Sequence, residues 1–257
     1  MSVRRPIQRI EGPFGELLIS PDTMGKSAPH FHRTHAIGVS QSGGGTLFAM
    51  GKAWRHGVGM VVVTNPFETH WGRPSPEGLD YCLFYPRPAW LQTLASVTRH
   101  PAGVHFGMPV IEDKALALRL ALAFEAVADQ RSERLLRQAV DQLLSKHAVA
   151  VPEGLESTPR GAGVPLPEAA TGSEPSIAGL AADAGLSRSY YSRDYRKRVG
   201  LSPRDHRRQR RVLAARSLIE AGTSLAEAAA GAGFADQAHM TRQFRQILGT
   251  TPAAYRR

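Results

Sequence analysis

Histidine titrates near neutrality and ligates transition metals, and five of this chain's ten histidines fall between His30 and His70. His30, His32 and His35 lie within the run HFHRTH, His56 follows, and Glu68 and His70 close the run NPFETH. A His-x-His pair on a strand turns both imidazoles to one face, and a second strand end carrying Glu68 and His70 would complete a pocket. Three imidazoles with a carboxylate would suit zinc, iron, nickel or manganese. The same groups could line a pocket for an organic molecule, or simply pack. The reading taken is a small-molecule pocket built from His30, His32, His35, Glu68, His70 and Trp71, with no metal or other cofactor. Were an ion held, His30, His32, Glu68 and His70 would hold it. Trp54, Trp71, Tyr81 and Phe84 read as core or pocket wall.

The second set of chemically capable residues is basic and repeated. Ala181, Gly185, Tyr191, Tyr195, Gly200 and Pro203 have counterparts in Ala229, Gly233, Met240, Phe244, Gly249 and Pro252. A small residue four before a glycine lets two helices cross closely, and the glycine supplies the positive φ of a tight turn. An apolar plug follows (Leu186, Phe234), then apolar residues every fourth position that anchor a second helix. Facing outward are Arg188, Ser189, Ser192, Arg193 and Arg196 in one copy, and Asp236, Gln237, Thr241, Arg242 and Arg245 in the other. Such side chains reach phosphates and base edges in a major groove of double-stranded DNA, with Arg193 and Arg242 suited to guanine and Gln237 to adenine. One copy alone would also fit a small helical bundle with a solvated face. Two in one register point to a tandem helix-turn-helix.

The runs LAADAGLSRSYYSRDYRKRVGLSP, RRVLAARSLIEAG and LAEAAAGAGFADQAHMTRQFRQILGTTPAAYR resemble the DNA-binding domain of the AraC/XylS family of bacterial transcription regulators. His206 departs from the pattern, since the family usually has an aromatic residue there. HFHRTHAIGV, GMVVVTNPFETHWG and YCLFYP resemble the cupin-like sensor domain at the N-terminus of many such regulators. Enzyme-type cupins usually supply a glutamate a few residues after His-x-His, and Arg33 to Ser40 contains no acidic residue. The resemblance implies an effector, for which an amino acid is expected, together with homodimers and, for an activator, a contact with RNA polymerase.

The elements that must position these groups are legible in outline. ELLIS, AIGVSQSG, GTLFAMG, KAWRHG, GMVVVTNP and YCLFYP read as strands of a small antiparallel barrel or sandwich. AWLQTLASV is a short helix, and 114–128 and 133–147 carry apolar stripes of helical spacing that suit a packed pair or a dimer interface. Five prolines and four glycines between Val151 and Pro175 mark a tether. The expected fold class is α+β in two domains, a cupin-like β-barrel with a C-terminal helical segment followed by an all-α tandem helix-turn-helix domain. The expected boundaries are 1–90 for the barrel, 91–147 for the helical segment, 148–174 for the linker and 175–257 for the DNA-binding domain. Ser176 is expected to cap the first helix of the last domain. A helix from Pro203 to Ala221, about 27 Å long, would set two recognition helices near one DNA turn apart, about 34 Å.

Charge and composition agree with this layout. The net charge is +10, and residues 175–257 hold 15 Lys/Arg against 6 Asp/Glu, leaving 17 against 16 elsewhere. That segregation points to a polyanion partner for the basic part. No signal peptide or membrane-spanning run is visible, and a lone Cys82 fits a reducing compartment, so a soluble cytoplasmic regulator without enzymatic activity is expected. The rival is a metal-dependent cupin enzyme with an accessory nucleic-acid domain. A DNA-repair methyltransferase would need a reactive cysteine, which Cys82 in its strand-like setting does not offer.

Overall fold

Short glycine-punctuated runs pair into strands in the first part of the chain. β1 (Gln8–Gly12), β2 (Gly15–Ser20), β3 (Ala36–Ala49), β4 (Lys52–Gly57), β5 (Val61–Thr64) and β6 (His70–Pro86) precede the first helix. The computed structural model describes residues 8–20, 29–97, 103–129, 132–150, 175–248 and 251–255, and the chain divides into units of residues 1–160 and 161–257. The expected linker between Val151 and Glu174 lies outside the described residues.

In the first unit α1 (Pro88–Val97), β7 (Val104–Phe106), β8 (Val110–Ile111), α2 (Lys114–Ala128), α3 (Glu133–His147) and β9 (Ala148–Ala150) follow the strands. One antiparallel sheet runs β1-β2-β6-β3-β5-β8, with β4 also on β3, and β7 pairs separately with β9. β3 and β6 are its long central strands. Two runs expected as separate strands join in β3 because bulges between Ser40 and Ser42 and between Gly43 and Gly45 bend the strand without ending it. Gly43 is obligatory at that bend: its φ is +64°, and a Cβ there would lie 2.2 Å from the Gly78 carbonyl oxygen.

β6 reaches back to His70 through Pro74 and Pro76. The stretch Ser75–Gly78 has no partners in the β3 register, and Ser75 Oγ donates to the Gly78 carbonyl at 3.2 Å, so Pro76 sits where no ladder bond is needed, while Pro74 pairs with Gly45 at the edge of that gap. β1, β7, β8 and β9 are too short for a periodicity signal. β8 pairs with β5 from within the segment expected to be helical, and β9 occupies the start of the expected linker.

The core of this unit joins sheet to helices. Ile37, Val39, Val61, Val63 and Phe84 pack in one cluster with Trp90, Leu116, Leu120, Phe124, Leu136, Val140 and Leu143. α2 and α3 match the expected ranges and start on side-chain caps, Asp113 accepting from Leu116 N and Ser132 from Leu135 N. Asp113 also pairs with Lys146 at 3.2 Å, tying the start of α2 to the end of α3.

The second unit contains α4 (Ile177–Asp183), α5 (Arg188–Val199), α6 (Pro203–Glu220), α7 (Leu225–Gly231), α8 (Gln237–Leu248) and α9 (Pro252–Tyr255). Ser176, Ser187, Ser202 and Ser224 each cap a helix through Oγ, and Glu227 completes a capping box with Ser224. The turns between α4 and α5 and between α7 and α8 pass through Gly185 (φ 67°) and Gly233 (φ 75°), the left-handed conformation the repeat requires. Each half has its own core: Leu180, Ala181, Tyr191, Tyr195 and Val199 in the first, and Ala228, Ala229, Phe234, Met240 and Phe244 with Val212, Ala215 and Ile219 of α6 in the second.

Candidate functional site

The histidines meet because two backbones meet. His30 N donates to His70 O at 2.9 Å and His70 N donates to His30 O at 2.8 Å, an isolated bridge that fixes the HFH run beside the start of β6. The rings of His30, His32 and His70 then form a triangle with centroid separations of 4.5, 4.9 and 5.0 Å, and the Tyr85 ring lies 4.9 Å from His32. This cluster belongs to the wall of a cavity of about 160 Å³. Apolar lining comes from Val39, Leu47, Val62, Leu79 and Leu83, and polar lining from Ser40, His56, Thr64, Arg73, Tyr81 and Tyr85.

The polar groups are held in defined states. Burial, and then the neighbouring His30, lower the His70 pKa to about 3, so its imidazole is neutral. Its Nδ1–H donates to the Glu68 carbonyl at 2.8 Å, which leaves Nε2 as the lone-pair nitrogen. The pKa of His56 is also lowered by burial. The Thr64 hydroxyl is buried on the cavity wall without a hydrogen-bond partner among the described residues.

The expected pocket set is split. His30, His32 and His70 line the cavity, whereas His35, Glu68 and Trp71 lie outside its lining. His35 Nε2–H donates to the Val104 carbonyl at 3.0 Å and packs edge-on against Phe106, so it ties β3 to β7. Glu68 Oε2 accepts from Asn65 Nδ2 at 2.8 Å and from Asn65 N at 3.3 Å, closing the turn that precedes β6. Trp71 stacks on Phe48 with centroids 5.1 Å apart and planes within 4°. Residue parity explains Trp71, because neighbours along a strand point to opposite sides, whereas His35 and Glu68 lie outside the strands and are turned away by their hydrogen bonds to Val104 and Asn65. The same alternation could have pointed to Tyr81, Leu83 and Tyr85 as one wall. The Thr64 hydroxyl and the role of Asn65 had no sequence signal.

In the second unit Tyr191, Tyr195, Met240 and Phe244 are buried, while Arg188, Ser189, Arg193 and Arg196 on α5 and Gln237, Arg242 and Arg245 on α8 are exposed. Ser192 and Thr241 are half-buried, and the Thr241 hydroxyl donates to the Gln237 carbonyl at 2.9 Å. Asp236 Oδ1 accepts from His239 N at 2.6 Å, so this residue caps α8. None of the five arginines joins an ion pair among the described residues. On α6, by contrast, Arg208 pairs with Asp205 at 3.0 Å and Arg207 donates to the Pro175 carbonyl at 2.8 Å.

His206 does more than fill space. It is buried on α6, and its Nδ1 shares a 2.5 Å hydrogen bond with the Tyr195 hydroxyl, linking α5 to α6. Burial, and then the charge of Arg210, lower its pKa from 6.5 to about 4. The folded state therefore binds fewer protons than the unfolded state between these values. Its contribution is fully present above pH 6.5 and is lost as pH falls toward 4, about 3 kcal/mol in all. Denaturant melts should show His206→Phe flattening the pH dependence of the second unit in that window; parallel slopes for the two proteins would contradict the assignment.

Comparison with known proteins follows the same division. The family model described as AraC-like ligand binding domain matches residues 13–144, and the one described as helix-turn-helix domain matches 180–257. Among solved structures, wild-type ToxT from Vibrio cholerae strain SCE256 with an unsaturated fatty acid bound is 14% identical, with 97% of each chain covered and a TM-score of 0.54. ToxT from Vibrio cholerae O395 is 13% identical, covering 91% of this chain and 94% of that one, with a TM-score of 0.52. At these identities the likeness establishes the fold, a cupin-like domain followed by paired helix-turn-helix units. No curated protein sequence matches the chain significantly.

Proposed function

The chain belongs to the AraC family, and from that premise we propose how this member of a class of ligand-sensing, DNA-binding transcription regulators reads DNA and takes its effector. The exposed outward residues of α5 and α8 enter successive major-groove segments. Arg193 and Arg242 contact guanine, Gln237 contacts adenine, Ser189, Ser192 and Thr241 add shorter contacts, and Arg188, Arg196 and Arg245 hold phosphates. Asp236 acts by capping α8. The observation that carries this reading is the repeat itself: buried anchors one turn apart on each helix leave arginines without ion pairs on the opposite side in both copies. Arg242→Ala should weaken binding to the specific site by about 1–3 kcal/mol and relax its preference, measured by titration against specific and random DNA. Equal weakening on both would make Arg242 a phosphate contact only.

The effector occupies the cavity of the first unit. At about 160 Å³ it is close to an engineered cavity of roughly 150 Å³ that accepts benzene, so it has room for a group of about that size. An amino acid fits that size. The Thr64 hydroxyl offers such a molecule an unmet hydrogen bond. The protein acts in the cytoplasm, where its DNA is, and carries out no chemistry of its own. Among the described residues no helix is long and apolar enough to cross a membrane.

The protein works as a homodimer through α2 and α3. Leu118 and Leu122, one turn apart on α2, are 61% and 53% exposed, and Leu135 on α3 is 45% exposed. Burying such side chains stabilises by about 1.5–3 kcal/mol each. Leu118→Lys should yield monomers in sedimentation analysis, and an unchanged dimer would place the interface elsewhere. An activator would in addition contact RNA polymerase.

A further inference from the structure

We propose that His30, His32 and His70 bind one divalent transition-metal ion of the zinc class, with an open coordination position facing the cavity. Potential ligand atoms of the three imidazoles all lie within 4.8 Å of one another. A tetrahedral zinc ion, at about 2.0–2.1 Å from each nitrogen, holds its ligands roughly 3.4 Å apart, so modest side-chain rotations close the site. The reciprocal backbone bridge between His30 and His70 fixes two of the three ligands before any ion arrives.

His70 is already oriented as a metal ligand. Its Nδ1–H is donated to the Glu68 carbonyl, the supporting contact that metal-bound histidines usually make, and Nε2 carries the lone pair. The Glu68 side chain is instead engaged by Asn65. The set is therefore three nitrogens and no carboxylate, which selects zinc, cobalt, nickel or copper over magnesium or calcium. Three protein ligands leave a fourth position for water or an exchangeable group, and the Thr64 hydroxyl on the same cavity wall can hydrogen-bond what sits there. The organic effector would then bind through a carboxylate or amine placed on the ion, a step that rests on the cavity being the effector site.

The test uses the untagged full chain, stripped with a chelator and dialysed against zinc sulfate, with metal per chain measured by mass spectrometry. One zinc ion per chain is expected. The double variant His30→Asn/His32→Asn should bind zinc at least about 100-fold more weakly, beyond the 10–100-fold that loss of a supporting contact produces. Since that variant could misfold, the wild-type chain is also loaded with cobalt(II). A four-coordinate visible spectrum that shifts on adding acetate is expected. Zinc bound equally well by the variant, a cobalt spectrum like that of the aquo ion, or one indifferent to acetate would overturn the proposal. Footprinting the same stripped and loaded samples on DNA keeps the regulator reading separate, because DNA binding can fail while stoichiometric zinc remains.

Discussion

Phe244→Ala is expected to destabilise the second unit by about 3–5 kcal/mol and to abolish specific DNA binding near physiological temperature. Phe244 is fully buried at the centre of the cluster that joins α8 to α7 and α6, with Met240, Phe234, Val212, Ala215 and Ile219 around it. A unit of this length has a total stability of roughly 4–12 kcal/mol, so the loss is a large fraction of the whole. α8 carries Gln237, Arg242 and Arg245, and without its anchor the helix cannot hold them in register. The first unit has a separate core and should keep its own melting temperature. Calorimetry should therefore show one transition falling by more than about 10 °C while the other stays put. A common shift of both would mean the two cores are not independent.

The second large effect is expected at Asn65. Its buried side chain accepts from Phe106 N at 2.8 Å and donates to Phe106 O at 2.9 Å, while the same amide reaches Glu68 Oε2 at 2.8 Å. It thus pins the turn before β6 onto β7. Asn65→Ala would leave the Phe106 peptide groups and the Glu68 carboxylate without these bonds in a buried setting, a cost of about 2–5 kcal/mol. Because the Glu68 carbonyl orients His70, the cavity wall should loosen as well. The melting transition of the first unit should fall by roughly 10 °C, with the second unaffected. A shift within experimental error would show that solvent replaces these bonds.

What the sequence disclosed, and what it did not, follows from the range of the interactions. The helix-turn-helix repeat was readable because its determinants are local: a small residue, a glycine with positive φ, and anchors one turn apart. α2 and α3 were readable for the same reason, although Leu118 and Leu135, on the apolar stripes by spacing, proved exposed. The histidine triad was readable in part, since His30 and His32 share a face by parity, but bringing His70 to them depends on a backbone bridge across 40 residues. Glu68 looked like a ligand by its type; Asn65, three residues before it, turned it into a structural brace. His206 stood out only as a departure from the family's usual aromatic residue, and its approach to Tyr195 gave it a partner.

Footprinting the protein on the DNA flanking its own gene, near physiological salt and with excess random competitor, addresses the tandem-reading claim most directly. The account predicts protections in pairs about ten base pairs apart on one face of the duplex, weakened at one member of each pair by Arg242→Ala. A uniform, salt-sensitive smear with no protected site would contradict it, and would mean that the basic residues of α5 and α8 bind phosphates alone.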